Sequence, residues 1–175
     1  MKTKQESMMN VLLDKCDYIL KGNEPSANQP STTLGAGYTR CILTLQTIYI
    51  QGNNEAGDDE WKFKVYLGPD RYPLQIPVNG SEYVISNNAS FPHAYHVNAT
   101  IFDGYFQLRE GQSIGVILEA EAREIDTFFD DVSRNTGSVG VIIPSKLWFN
   151  LFATGDTPVQ FQFFIEAYEM DKAPM

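Results

Sequence analysis

From Tyr38 onward, apolar and polar residues alternate with a period of two. In EWKFKVYL, Trp61, Phe63, Val65 and Leu67 share one face, with Glu60, Lys62, Lys64 and Tyr66 on the other. SIGVILEAEAREI sets Ile114, Val116, Leu118, Ala120 and Ala122 against Ile117, Glu119, Glu121 and Arg123. PVQFQFFIEAYEM sets Val159, Phe161, Phe163, Ile165 and Ala167 against Gln160, Gln162, Phe164, Glu166 and Tyr168. Successive side chains of a strand point to opposite sides, so each segment predicts one buried and one wet face. The runs Arg40–Gln51, Pro73–Val78, Glu82–Ser86, Tyr95–Phe102, Val139–Pro144 and Leu147–Ala153 read as further strands. About eight strands separated by turn residues, with no helices between them, predict an all-β antiparallel sandwich.

Residues 4–21 follow another period. Met8, Met9, Leu12, Leu13, Cys16, Ile19 and Leu20 recur at helical spacing, which predicts an N-terminal amphipathic helix ending at Gly22. The stretch GNEPSANQPSTTLGAG then reads as a linker. The expected organisation is a helix over 1–21, a linker over 22–37 and a sandwich domain over 38–175. The helix would cover an edge of its own sandwich or reach a second copy.

A chain of 175 residues can bury a proper core, and 13% aromatic with 20% charged residues is globular composition. The net charge of −9 excludes nucleic acid as an expected partner, and admits an anionic lipid surface only with a cation between them. Cys16 and Cys41 give neither a disulfide framework nor a metal-binding spacing. The first residues lack a continuous apolar segment and do not read as a signal peptide, which favours a cytoplasmic or assembly-associated location. The sequons at Asn79, Asn88 and Asn98 then read as chance.

The candidate chemistry lies in two acidic stretches. GNNEAGDDEWKFKVYLG carries Glu55, Asp58 and Asp59 ahead of a strand, and EAEAREIDTFFDDVSRNTGSVG carries Glu124, Asp126, Asp130 and Asp131 behind one. Sandwich loops gather at the two ends, so such loops can converge on one apex. Calcium takes six to eight oxygen ligands from flexible loops, and crowded carboxylates without a cation repel one another. The expected metal ligands are therefore Asp58, Asp59, Asp126, Asp130 and Asp131, with Ca2+ as the ion.

GDDEWKFKVYLGPD resembles the first loop and following strand of the calcium- and phospholipid-binding domain first defined in protein kinase C, the C-two domain. LEAEAREIDTFFDDVSRNTGSVGVII resembles that family's later strand, its spaced aspartates and the strand after them. The resemblance spans about residues 41–168 and implies a sandwich with an acidic calcium apex. It has departures. Asn53 or Asn54 stands where a first-loop aspartate is expected, Glu60 replaces a proline, and Glu124 replaces the first aspartate of the later loop. These imply weakened or lost calcium binding. Phe128 and Phe129 would form either an apolar loop tip or a local plug.

Other groupings point to no catalysis. His93 and His96 sit three apart, on opposite sides of a strand, with no third ligand at a fixed spacing. Glu119 and Glu121 could flank a glycosidic bond, but nothing marks a concave face around them. No nucleophile–base pair and no phosphate loop stands out, so no catalytic or cofactor-binding residue is expected. Of the aromatics that could line a sugar-binding face, Trp61, Tyr66, Tyr83, Tyr95, Tyr105, Trp148 and Tyr168, the better candidates are Tyr66 and Tyr168, on wet strand faces. The reading is a non-enzymatic binding or assembly module with calcium at its apex. Its rivals are an ion-free structural subunit of a bacterial or viral assembly and a carbohydrate-binding module.

Overall fold

The computed structural model describes residues 16–20, 38–52, 57–68, 72–108, 110–126 and 130–170. Ten strands follow in order: β1 Tyr18–Ile19, β2 Tyr38–Ile50, β3 Asp59–Leu67, β4 Tyr72–Ile76, β5 Tyr83–Ile85, β6 His93–Phe106, β7 Ser113–Glu124, β8 Asp131–Ile142, β9 Ser145–Ala153 and β10 Val159–Met170. They make two sheets. In the first, β7 lies between β8 and β3, and β3 carries β4 and β5 end to end along its far edge. In the second the order is β6-β2-β10-β9. All pairings are antiparallel except that of β1 with β7.

The period-two pattern explains the packing. The inward positions of β3, Trp61, Phe63, Val65 and Leu67, are at most 2% exposed. Those of β10, Val159, Phe161, Phe163, Ile165 and Ala167, are fully buried on the opposite sheet. The two layers meet where the Phe63 ring stands edge-on to Phe161, 6.1 Å between centroids. Burying each such side chain stabilises by roughly 1.5–3 kcal/mol, so this shared core holds the sheets together. The chain crosses between sheets from β2 to β3, β5 to β6, β6 to β7 and β8 to β9, and at the end of β8 and β9 far from their turn Arg134 N–H donates to Thr154 C=O.

Two expectations change. The helix over 4–21 is not supported at its described end. Residues 16–20 form no helix there. Instead Tyr18 and Ile19 pair in parallel with Ile114 and Gly115, and Leu20 is fully buried. The reason lies in β7, whose register with β3 runs only from Leu118 to Glu124 and leaves an open edge before it. Residues 16–20 use that edge. Leu20 N–H donates to Gly115 C=O, and Ser113 N–H donates to Asp17 Oδ2. A Cβ on Gly115 would lie 3.2 Å from Cys16 Sγ, so the glycine makes room for the chain. Residues 1–15 and the linker over 22–37 lie outside the described residues.

The second change is β8, which begins at Asp131 rather than near Val139. DVSRNTGS reads as a loop because its residues are polar. It pairs residue for residue with Glu124–Ile117 of β7, and a strand at a sheet's edge needs few apolar side chains.

Candidate functional site

Strand directions bring four connections to one end of the sandwich. The ends of β2, β5, β7 and β9, and the starts of β3, β6, β8 and β10, all lie there. The described acids of the two stretches, Asp58 and Asp59 at the start of β3 and Glu124, Asp126, Asp130 and Asp131 between β7 and β8, therefore lie at one end. Ile125 N–H donates to Glu60 C=O at 2.7 Å, which ties the end of β7 to the start of β3. Glu55, Phe128 and Phe129 lie outside the described residues.

The five expected ligands divide. Asp59 is 3% exposed and sits two residues before Trp61, so it faces inward. Trp61 pairs with Glu124, which pairs in turn with Asp131, so these carboxylates share the inward side of the first sheet. Asp131 also lies beside Asp126 and Asp156. Burial, the charges of Asp156 and Asp126, and a hydrogen bond with Asp156 together raise its pKa above the ordinary carboxylate value. The other two expected ligands are used elsewhere. Asp58 Oδ1 accepts from Asn87 N–H at 3.0 Å, which fastens the entry to β3 onto the turn after β5. Asp130 accepts from Arg123 Nη1 at 3.2 Å on the outer face.

Sequence reasoning missed Asp156, and it placed Glu124 in the acidic stretch but outside the expected ligands. Asp156, in TGDTP, is a lone acid between strands, and only the convergence of ends shows that it faces Asp131. Glu124 was read as a departure from a loop pattern, yet it ends β7 and is 1% exposed. Among the described residues, no group of three His, Cys, Asp or Glu side chains is arranged to hold a metal ion. Asp126 and Asp156 approach Asp131 closely enough to raise its pKa without making up such a group.

The two outward faces differ. On the first sheet, Glu121 is 2% exposed under Lys64, Arg123 and Arg134. Its Oε1 lies 3.6 Å from Lys64 Nζ and 3.7 Å from Arg123 Nη2, and its Oε2 accepts from Arg134 Nη2. Arg134 Nε also approaches Glu119 Oε1 at 3.8 Å. The pair weighed as acid and base is thus held by cations. On the second sheet, β9 turns Trp148, Asn150 and Phe152 outward, opposite Phe164, Gln162 and Gln160 of β10. Tyr66 and Tyr168 belong to opposite sheets and face away from each other, so they cannot form one sugar platform. The histidines also part: His93 Nε2 meets the Tyr83 hydroxyl at 2.9 Å, and His96 Nδ1 meets Thr47 Oγ1 at 3.2 Å.

No protein-family model and no curated protein matches the chain. Among solved structures it is similar to a C2 domain protein from Ramazzottius varieornatus, at 12% identity and a TM-score of 0.38, over 80% of this chain and 95% of that one. The chain is also similar to human GIVD cytosolic phospholipase A2, at 10% identity and a TM-score of 0.42, and spans 18% of that enzyme's length. No helix among the described residues is long and apolar enough to cross a membrane.

Proposed function

We propose that the chain is a non-enzymatic C-two-like binding module whose apex takes calcium. The observation that carries this reading is the crowding of Asp126, Asp131 and Asp156, which holds a proton more tightly on Asp131 than an isolated aspartate would. A divalent cation removes the repulsion that a proton now relieves. Asp126, Asp131 and Asp156 would draw together around the ion to supply the first oxygens, and Asp59 and Glu124 stand behind them on the inward side. Calcium bound there would rigidify the converging connections and neutralise an acidic end of an acidic chain. The partner that then docks is a protein or an anionic group bridged by the ion.

The test is thermal unfolding in EDTA, then through a calcium titration, with magnesium as control. A ligand that binds only the folded state adds about 2.7 kcal/mol at a hundred times its dissociation constant. The expected result is a calcium-specific rise in Tm that Asp126→Asn removes. A flat response up to millimolar calcium overturns the reading.

Self-assembly has one observation in its favour. Among the described residues no strand pairs with the outer edge of β6, and Asp103 is the only Asp, Glu, Lys or Arg in its 14 residues. Register shifts against β2 near Ile101 and near Val97–Asn98 oppose it, since bulges twist an edge away from a flat partner. Light scattering decides: a monomer at high concentration removes this alternative.

A further inference from the structure

The outer face of the second sheet carries a pattern that the calcium reading leaves unused. β9 presents Trp148, Asn150 and Phe152, which are 55% exposed at Trp148 and 53% at Phe152. In register beside them on β10 stand Phe164, Gln162 and Gln160. The Trp148 and Phe164 rings meet at 4.6 Å between centroids, and Phe152 lies four residues along, about 13 Å away at the usual strand rise. Rings and amides therefore interleave on a hydrogen-bonded platform.

Charge decides what fits there. The charged side chains on this sheet's outward strand positions cancel in pairs, Lys146 with Glu166 at 2.6 Å and Arg40 with Asp103 at 2.7 Å, while Asp156, in the connection from β9 to β10, turns to Asp131. In a chain of net charge −9, this is a face with no net sign, so neither an anion nor a cation is selected. A protein partner would favour a contiguous apolar centre with a charged rim. Here the second ring site, Phe152 beside Gln160, is cut off from the Trp148–Phe164 pair by Asn150 and Gln162. Amide side chains donate and accept at once, as hydroxyl groups do. Aromatic rings offer an apolar plane without rotamer-rich side chains to immobilise.

We propose that this face binds an uncharged polysaccharide. Sugar rings lie with their C–H faces on Trp148 and Phe152, and their hydroxyls bond to Asn150, Gln160 and Gln162. The site is independent of the apex and of calcium. Tyr168 borders it but is already engaged, its hydroxyl accepting from Arg40 Nη1 at 3.3 Å.

The test is electrophoresis of the full chain through gels containing hydroxyethylcellulose, xylan or laminarin, with polygalacturonate and dextran sulfate as charged counterparts, all in EDTA. At least one neutral polysaccharide is expected to retard the protein. Trp148→Ala and Gln162→Ala should each weaken retardation tenfold or more, with Tm showing that both variants fold. Fluorescence gives a second readout, because Trp61 is 1% exposed and Trp148 is the other tryptophan. The retarding polysaccharide should shield Trp148 from acrylamide quenching in the wild type. The proposal is overturned if no neutral polysaccharide retards the chain, if only the charged ones do, or if retardation survives Trp148→Ala. A dimer that Trp148→Ala splits would overturn it too, by assigning the face to a second copy.

Discussion

The two outward faces of this sandwich obey the same alternation and carry opposite chemistry. On the first sheet the outward positions of β3, β7 and β8 hold Lys64, Glu121, Arg123 and Arg134, and they close on one another through ion pairs. On the second sheet the outward positions of β9 and β10 hold aromatic rings and amides that leave Trp148 and Phe152 open to solvent. A binary pattern treats both as wet faces. What separates them is whether the groups satisfy each other. The ionic face spends its polar groups internally and contributes to stability. The aromatic face leaves them available and contributes little.

That contrast predicts its largest effect at Glu121. The carboxylate is 2% exposed, whereas Lys64, Arg123 and Arg134 are 36%, 39% and 51% exposed. Removing it leaves three cations with a repulsive gap between them, although each can turn to water. Glu121→Ala is expected to cost about 1.5–3 kcal/mol, the range for charge-assisted hydrogen bonds. For a chain of this size that lowers Tm by on the order of 5–10 °C. Lys64→Ala alone should cost under about 1 kcal/mol, because two cations still face the carboxylate. If urea denaturation finds Glu121→Ala no worse than Lys64→Ala, the first face is not a closed network and the comparison breaks.

Asp131 sharpens the point from the other side. It ends the same sheet, but its neighbours Asp126 and Asp156 are acids instead of cations, and its pKa is raised from 3.8. A group with a raised folded pKa contributes stability below its unfolded pKa and loses that contribution as pH rises through the folded one. At neutral pH the ionised Asp131 is therefore a burden. Asp131→Asn should raise Tm at pH 7 in EDTA, and the gain should vanish as the pH falls below the ordinary carboxylate range. The effect is smaller than that of Glu121→Ala and opposite in sign. In calcium, the same variant should lose the metal-dependent rise. A variant that is destabilised at pH 7 in EDTA would show that Asp131 is held by attraction, not crowded.

The interior was legible in the sequence, because Trp61, Phe63, Phe161 and Phe163 follow a strict period and a period of two leaves one choice of face. Strands whose partners supply the burial were not. DVSRNTGS has almost no apolar signal, and it is β8 because β7 offers it a full register. The segment around Tyr18 shows the converse. Its apolar spacing fits a helix, but an open edge beside Ile114 and Gly115 converts it to a strand. At the apex, the sequence could place Asp59, Asp126 and Asp131 near strand ends. It could not show that Asp130 turns outward to Arg123, or that Asp156 arrives from another connection. Those depend on which sheet each strand joins, and that is a property of the whole chain.

The smallest effect on stability belongs to Trp148, and it tests the open face directly. The ring is 55% exposed, and its described ring contact is with Phe164 at 4.6 Å. An exposed aromatic pair contributes at most about 1 kcal/mol, so Trp148→Ala should shift Tm by no more than roughly 2–4 °C. The same substitution should abolish retention on a neutral polysaccharide. A large loss of retention with a small loss of stability is the signature of a surface kept open for a ligand. If Trp148→Ala instead destabilises as much as Glu121→Ala, the ring is part of the packing. The two faces would then be two ways of sealing a sheet.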